Sequence, residues 1–133
     1  MKAFALKVLL LSVLPLVIFS CKKDNVSTED QLINKWILTE KTVAGAPFTL
    51  SECEKKSSID FQANNFCLLY NACTNETTNS GWNYKSGMLN VSEILPAAFY
   101  IEQLDETILK IKRNDISAEG NLQVTVLTYI KSE

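Results

Sequence analysis

No histidine occurs in this chain, and its four cysteines are Cys21, Cys53, Cys67 and Cys73. That absence narrows the chemistry at once. Without imidazole there is neither Ser-His-Asp nor Cys-His nucleophilic catalysis, and the usual imidazole metal ligands are missing. The four glycines form no phosphate-cradling loop, and Cys53, Cys67 and Cys73 lack the Cys-x-x-Cys spacing that zinc sites favour. Two carboxylates alone can hydrolyse a glycoside. Here, however, Asp60 and Glu102 alternate with apolar residues and so point away from the core, while Asp105-Glu106 sits in a turn. Catalytic carboxylates with perturbed pKa values sit in clefts. The expectation is therefore a protein with no catalytic residue, metal or cofactor. Lys110, Lys112 and Arg113 make a short basic stripe. Such residues contribute ~1 kcal/mol each beside anionic lipid, although a solvated outer face is the plainer reading.

Cys21 has a setting of its own. Lys2 and Lys7 precede an apolar run from Val8 to Phe19, and Ser20 stands directly before the cysteine. A basic start, an apolar stretch of about 7–15 residues and a small residue at the cut site make an export signal. The run is too short to cross a bilayer, which takes about 20 apolar residues. Ile18-Phe19-Ser20-Cys21 resembles the lipobox of bacterial lipoproteins, and that resemblance implies acylation of Cys21, which then becomes the mature N-terminus. The other reading is an ordinary cleaved signal followed by an incidental cysteine. Two or more acyl chains anchor firmly, whereas one holds marginally.

Residues 1–20 are accordingly expected to be a signal peptide, 21–28 a polar tether and 29–133 one folded domain. The membrane is then a partner only through lipid on Cys21. Loss of Lys2 and Lys7 takes the 13 basic residues to 11, against 15 acidic ones. A net negative chain without a basic face does not suit a nucleic acid. An exported chain can keep disulfides, and three mature cysteines besides Cys21 leave at least one thiol unpaired in a monomer.

The elements that would position these groups are nearly all strands. Thr28 and Gln31 fit a capping box that opens one short helical turn. From Lys35 the period becomes two, with Trp36 and Leu38 on one face and Ile37, Thr39, Lys41 and Val43 on the other. Ile59 and Phe61 alternate in the next strand, Ala63-Asn64-Asn65 turns the chain, and Phe66 to Ala72 returns it. Cys73 to Ser80 reads as loop. Gly81 to Tyr84 and Met88 to Ser92 form a hairpin about Lys85-Ser86-Gly87, and Ile94 to Ala98 reads as a crossing with room for one helical turn. Strands at Phe99 to Glu102 and Ile108 to Arg113 follow. Leu122, Val124, Val126, Thr128 and Ile130 form one face of a long last strand.

These patterns predict an all-β domain, a small eight-stranded antiparallel up-and-down barrel with a short N-terminal helical turn. About eight strands close on themselves, remove exposed edges, and leave an interior that side chains fill or that holds one small ligand. A two-layer sandwich shares the same signals.

Asn34-Lys35-Trp36 after the helical turn, Cys53 ahead of a strand ending at Phe61, and Cys73 ahead of Gly81-Trp82 resemble, in order and spacing, the small lipocalin-like lipoprotein domains of Bacteroidetes. Asn34 stands where that family usually has glycine, and Asn tolerates positive φ. The likeness runs from roughly Gln31 to Ile130. It implies a Cys53–Cys73 disulfide, with Cys67 without a counterpart. Spacing leaves open that Cys67 takes one of those partners. It also implies a bacterial cell envelope location, lipid-anchored, at the outer membrane.

The inward set expected on this reading is Trp36, Leu38, Ile59, Phe61, Trp82, Tyr84, Phe99, Ile101, Leu109, Ile111, Val124 and Val126. Within it Trp36, Phe61, Trp82, Tyr84 and Phe99 are the candidate lining of a cup for a small hydrophobic ligand or lipid. The same residues would otherwise fill a solid core, leaving a structural or protein-interaction lipoprotein with an envelope partner that the sequence does not name.

Overall fold

A computed structural model describes residues 26–93 and 98–133. The expected signal peptide, Cys21 and most of the tether therefore lie outside the described residues, as do 94–97 of the expected crossing. The chain starts with α1 (Thr28–Leu32), followed by β1 (Lys35–Val43), β2 (Ala46–Phe48), a single 3-10 turn (Glu54–Lys56) and β3 (Ser58–Phe61). It continues through β4 (Phe66–Asn71), β5 (Glu76–Lys85), β6 (Met88–Val91), β7 (Ala98–Leu104), β8 (Ile108–Ile116) and β9 (Leu122–Lys131).

Each of β3 to β8 pairs antiparallel with the next, β1 pairs with β3 on one edge, and β1 pairs with β9 on the other. Eight strands thus close into an up-and-down barrel. The ninth, β2, shares an edge of β1 with β3: β3 pairs with Lys35–Ile37 and β2 with Lys41–Val43. Sequence reading missed β2 because its turn uses Ala44 at φ 51° beside Gly45 at φ 79°, and positive φ is uncommon for alanine. The β5–β6 hairpin turns on Ser86 and Gly87 at φ 55° and 82°, the two-residue geometry that matches strand twist.

The floor of the barrel is closed by α1. Ser27, rather than Thr28, is the N-cap, with its hydroxyl oxygen accepting from the Asp30 N–H at 3.1 Å. Asn34 is not among the positive-φ residues; its Nδ2–H donates to the Gln31 carbonyl at 3.1 Å. Leu32 is fully buried, and the Trp36 Nε1–H donates to the Leu32 carbonyl at 2.9 Å, tying helix to strand. The Trp82 Nε1–H likewise donates to the Gln62 carbonyl at 3.1 Å. Both indoles thus satisfy their one donor, as buried tryptophans need. Phe61 meets Trp82 edge to face, with ring centroids 5.1 Å apart. Leu89, Val91, Phe99, Leu109 and Ile111 complete this packed half.

Three expectations, two of them about facing, are corrected. A bulge between Leu38 and Glu40 breaks the alternation of β1, so Lys41 and Val43 come to the side of Trp36 and Leu38. Cys73 to Ser80 is not all loop, since β5 begins at Glu76. Val124 and Val126 do not face inward: Val124 is exposed, and the buried residues of β9 are Thr125 and Tyr129. Register decides this. Leu109 pairs with Tyr129 and Ile111 with Leu127, and since Leu109 and Ile111 are core residues their partners share that face. The outward side of the β8–β9 hairpin consequently carries Ile116, Leu122, Val124 and Ile130.

Candidate functional site

Above the packed aromatic half, the barrel mouth holds an open cavity of about 310 Å³. Its walls are Leu38 from β1, Ile59 from β3, Leu69 from β4, Thr78 from β5 and Tyr129 from β9, and its rim is Glu54, Ser57, Ser58, Tyr70 and Asn71. Register explains the meeting. Ile59 pairs with Leu69 and Leu69 with Thr78, while Leu38 pairs with Tyr129, so each row of partners falls on one face of the curved sheet. The cavity lies beside the place where β1 exchanges β3 for β2 as its partner.

The lips of this cup are clipped together covalently. Cys53, just ahead of the 3-10 turn, is joined to Cys73 between β4 and β5, with their Cα atoms 4.9 Å apart. Closing a loop with sequence separation 20 is worth ~3 kcal/mol in the chain-entropy model. The disulfide also fixes Glu54 and Ser57 opposite Asn71. Cys67 is a free, buried thiol on β4. Burial pushes its pKa up to about 11, partly opposed by a hydrogen bond with Ser80, so it is an inert filler under neutral conditions.

The polar groups of the cup are unevenly used. Glu54 Oε2 accepts from the Ser51 N–H and from the Ser51 hydroxyl, both at 2.7 Å, and these bonds lower its pKa below the ordinary carboxylate range. The Tyr129 hydroxyl has no hydrogen-bond partner among the described residues, and burial raises its pKa, with Arg113 opposing. It remains a neutral donor facing the cavity.

None of the five residues expected to line a cup does so. Trp36, Phe61, Trp82 and Phe99 are at most 5 % exposed and form the solid half beneath the cavity, while Tyr84 packs partly buried against them. The actual lining carried no sequence motif; it follows only from register. The basic stripe is divided as well. Lys112 approaches Glu102 at 3.8 Å on the outside, whereas Arg113 turns inward, its guanidinium 5.8 Å from the centre of the Phe99 ring and its Nε 3.0 Å from Asp115. Asp105 is a turn residue, its carboxylate accepting from the Thr107 and Ile108 N–H groups at 2.9 Å, which holds its pKa well below the usual range. Among the described residues no group of three or more acidic or cysteine side chains is placed to hold a metal. Larger hollows of about 440 and 540 Å³ lie at the floor end, one beside Val26, Asn34 and Leu104, the other beside Ile108 and Ile130. Neither is part of the barrel interior.

A closed eight-stranded meander with a helix across its floor and a small cup at its mouth is a ligand-barrel architecture. The chain belongs to the lipocalin-like domain family, whose model matches residues 32–111, more than half of its length. No curated protein matches. Among solved structures it is similar to bovine odorant binding protein in complex with its natural ligand, at 11 % identity, a TM-score of 0.46 and coverage of 77 % of this chain and 72 % of that one. A likeness this distant carries no argument about ligands here.

Proposed function

We propose that this chain is a lipoprotein of the Bacteroidetes type, held by acyl chains on Cys21 at the outer membrane, whose barrel binds a small, mainly apolar molecule. The cavity walled by Leu38, Ile59, Leu69 and Tyr129 is the observation that carries the binding half of this reading. Ligand pockets run from about 300 to 1,000 Å³, and about 310 Å³ stands at the bottom of that range. An opening of that size at the barrel mouth suits a small molecule.

The sequence from Val8 to Lys23 supports anchoring. Four residues lie between Cys21 and Val26, so five steps of chain give a reach of at most ~18 Å, and Val26 stands by the floor with Asn34 and Leu104. A barrel tethered there presents its mouth away from the bilayer, so the ligand arrives from the aqueous side. The solid aromatic half favours one competing reading, a structural envelope protein with no ligand.

Mass spectrometry under native conditions, on protein purified from its source, separates the two. A bound small molecule that is released on unfolding supports the cup; protein that carries no bound species supports the structural reading and contradicts the cup. For the anchor, a fatty-acid probe should label the wild type and not Cys21→Ser, and equal labelling would refute it.

A further inference from the structure

We infer that the cup selects a small organic cation, an amine carried on an apolar body, over a carboxylic acid of equal size, and that Glu54 sets this choice. The inference rests on the cup reading above and names the ligand class for it. Most rim groups are already committed to the fold. The Ser57 hydroxyl oxygen accepts from the Ala72 N–H at 3.1 Å, Asn71 Oδ1 accepts from the Cys73 N–H at 3.0 Å, and the Tyr70 hydroxyl donates to Asn75 at 3.1 Å. Glu54 differs. Both bonds from Ser51 fall on Oε2, and Oε1 has no partner among the described residues.

No ion pair engages this carboxylate among the described residues, although, beside the bonds from Ser51, the charge of Lys41 acts on it from a distance and helps to lower its pKa. The ion pairs of the described residues are Lys55–Glu52, Lys112–Glu102 and Arg113–Asp115. The Lys41 ammonium sits over the Phe48 ring, 4.3 Å from its centre, and makes no ion pair with Glu54. Glu54 is the one charged residue on the lining of the cavity; Arg113, whose charge reaches Tyr129, is paired with Asp115, and the donors from Ser51 hold the pKa of Glu54 down. It is also held in place, since its neighbour Cys53 is bonded to Cys73 across the mouth.

A ligand with its apolar body against Leu38, Ile59 and Leu69 brings its head group to this rim. An ammonium there gains a charge-assisted hydrogen bond, roughly twice as strong as a neutral one. A carboxylate meets a like charge instead.

The test titrates three probes that share a phenylethyl body into the disulfide-intact protein by calorimetry: 2-phenylethylamine, 2-phenylethanol and 3-phenylpropanoate. The amine is expected to bind about tenfold more tightly than the carboxylate, with the alcohol between, and the gap should shrink in 1 M salt as the charges are screened. Glu54→Gln should bring the amine to the level of the alcohol, and Glu54→Lys should reverse the order. A carboxylate that binds as well as the amine, or a Glu54→Gln variant with the ratio unchanged, overturns the inference. Binding of the alcohol without preference for the amine overturns charge selection alone. Failure of all three probes overturns the cup reading with it.

Discussion

Replacing Trp36 tests the closed floor on which the cup rests. The indole is fully buried, and its Nε1–H donates to the Leu32 carbonyl at 2.9 Å. Trp36→Ala removes the ring and leaves a cavity, which in packed cores costs about 3–5 kcal/mol. Trp36→Phe keeps most of the ring but loses the hydrogen bond, worth about 0.5–1.5 kcal/mol net, and leaves the Leu32 carbonyl short of a partner. Allowing for the smaller ring, its cost should be about 1–3 kcal/mol. Against a total stability of about 5–15 kcal/mol, the alanine variant loses a large share and the phenylalanine variant stays folded. Urea titration followed by Trp82 fluorescence measures both, with the denaturant slope expected to stay constant. Amide exchange in α1 should speed up in Trp36→Phe, because the bond that ties the helix to β1 is gone. A loss below ~1.5 kcal/mol for Trp36→Ala, or an equal loss for the two variants, would refute the reasoning.

Removing the disulfide with Cys53→Ser and Cys73→Ser together should cost ~3 kcal/mol in the same titration and weaken probe binding, since the lips are no longer clipped. Folding holds the Cys67 thiol protonated up to about pH 11, against an ordinary value of 9.0. The native state therefore binds more protons between those values, and this contribution to stability is complete below pH 9 and lost as pH rises to 11; Cys67→Ala should flatten that decline in pH-dependent denaturation curves. Gly87→Val places a β-branched residue at φ 82° and should cost more than ~1 kcal/mol in Tm-derived stability.

The parts of this barrel visible in the sequence are those where one residue decides the local structure. Ser86-Gly87 sets a hairpin, Asn65 takes the left-handed position of its turn at φ 63°, and Trp36 and Trp82 are core residues on the parity that alternation gave them. The Cys53–Cys73 pair was implied only by the family resemblance, because three cysteines on spacing alone allow other pairings. What alternation could not show was the effect of a bulge. At Leu38/Glu40 and at Ile101/Gln103 the register shifts, and the facing of the residues beyond each shift changes with it. On β9 both faces are apolar, so alternation gave no preference for Tyr129 and Leu127 over Val124 and Val126; pairing with Leu109 and Ile111 on β8 decided it. The cup was hidden for the same reason. Ile59, Leu69 and Thr78 come from three strands and meet only once β3, β4 and β5 are aligned.

The central claim, that a small molecule occupies the barrel mouth, is tested most directly by filling the cup. Leu69→Trp adds bulk on a wall of a cavity of about 310 Å³ at a partly buried position on the edge of the packed core. Calorimetric titration of 2-phenylethanol should show saturable binding to the wild type and none to Leu69→Trp, with both proteins melting cooperatively at similar temperatures. Undiminished binding to a folded Leu69→Trp variant would place the ligand elsewhere and contradict the account.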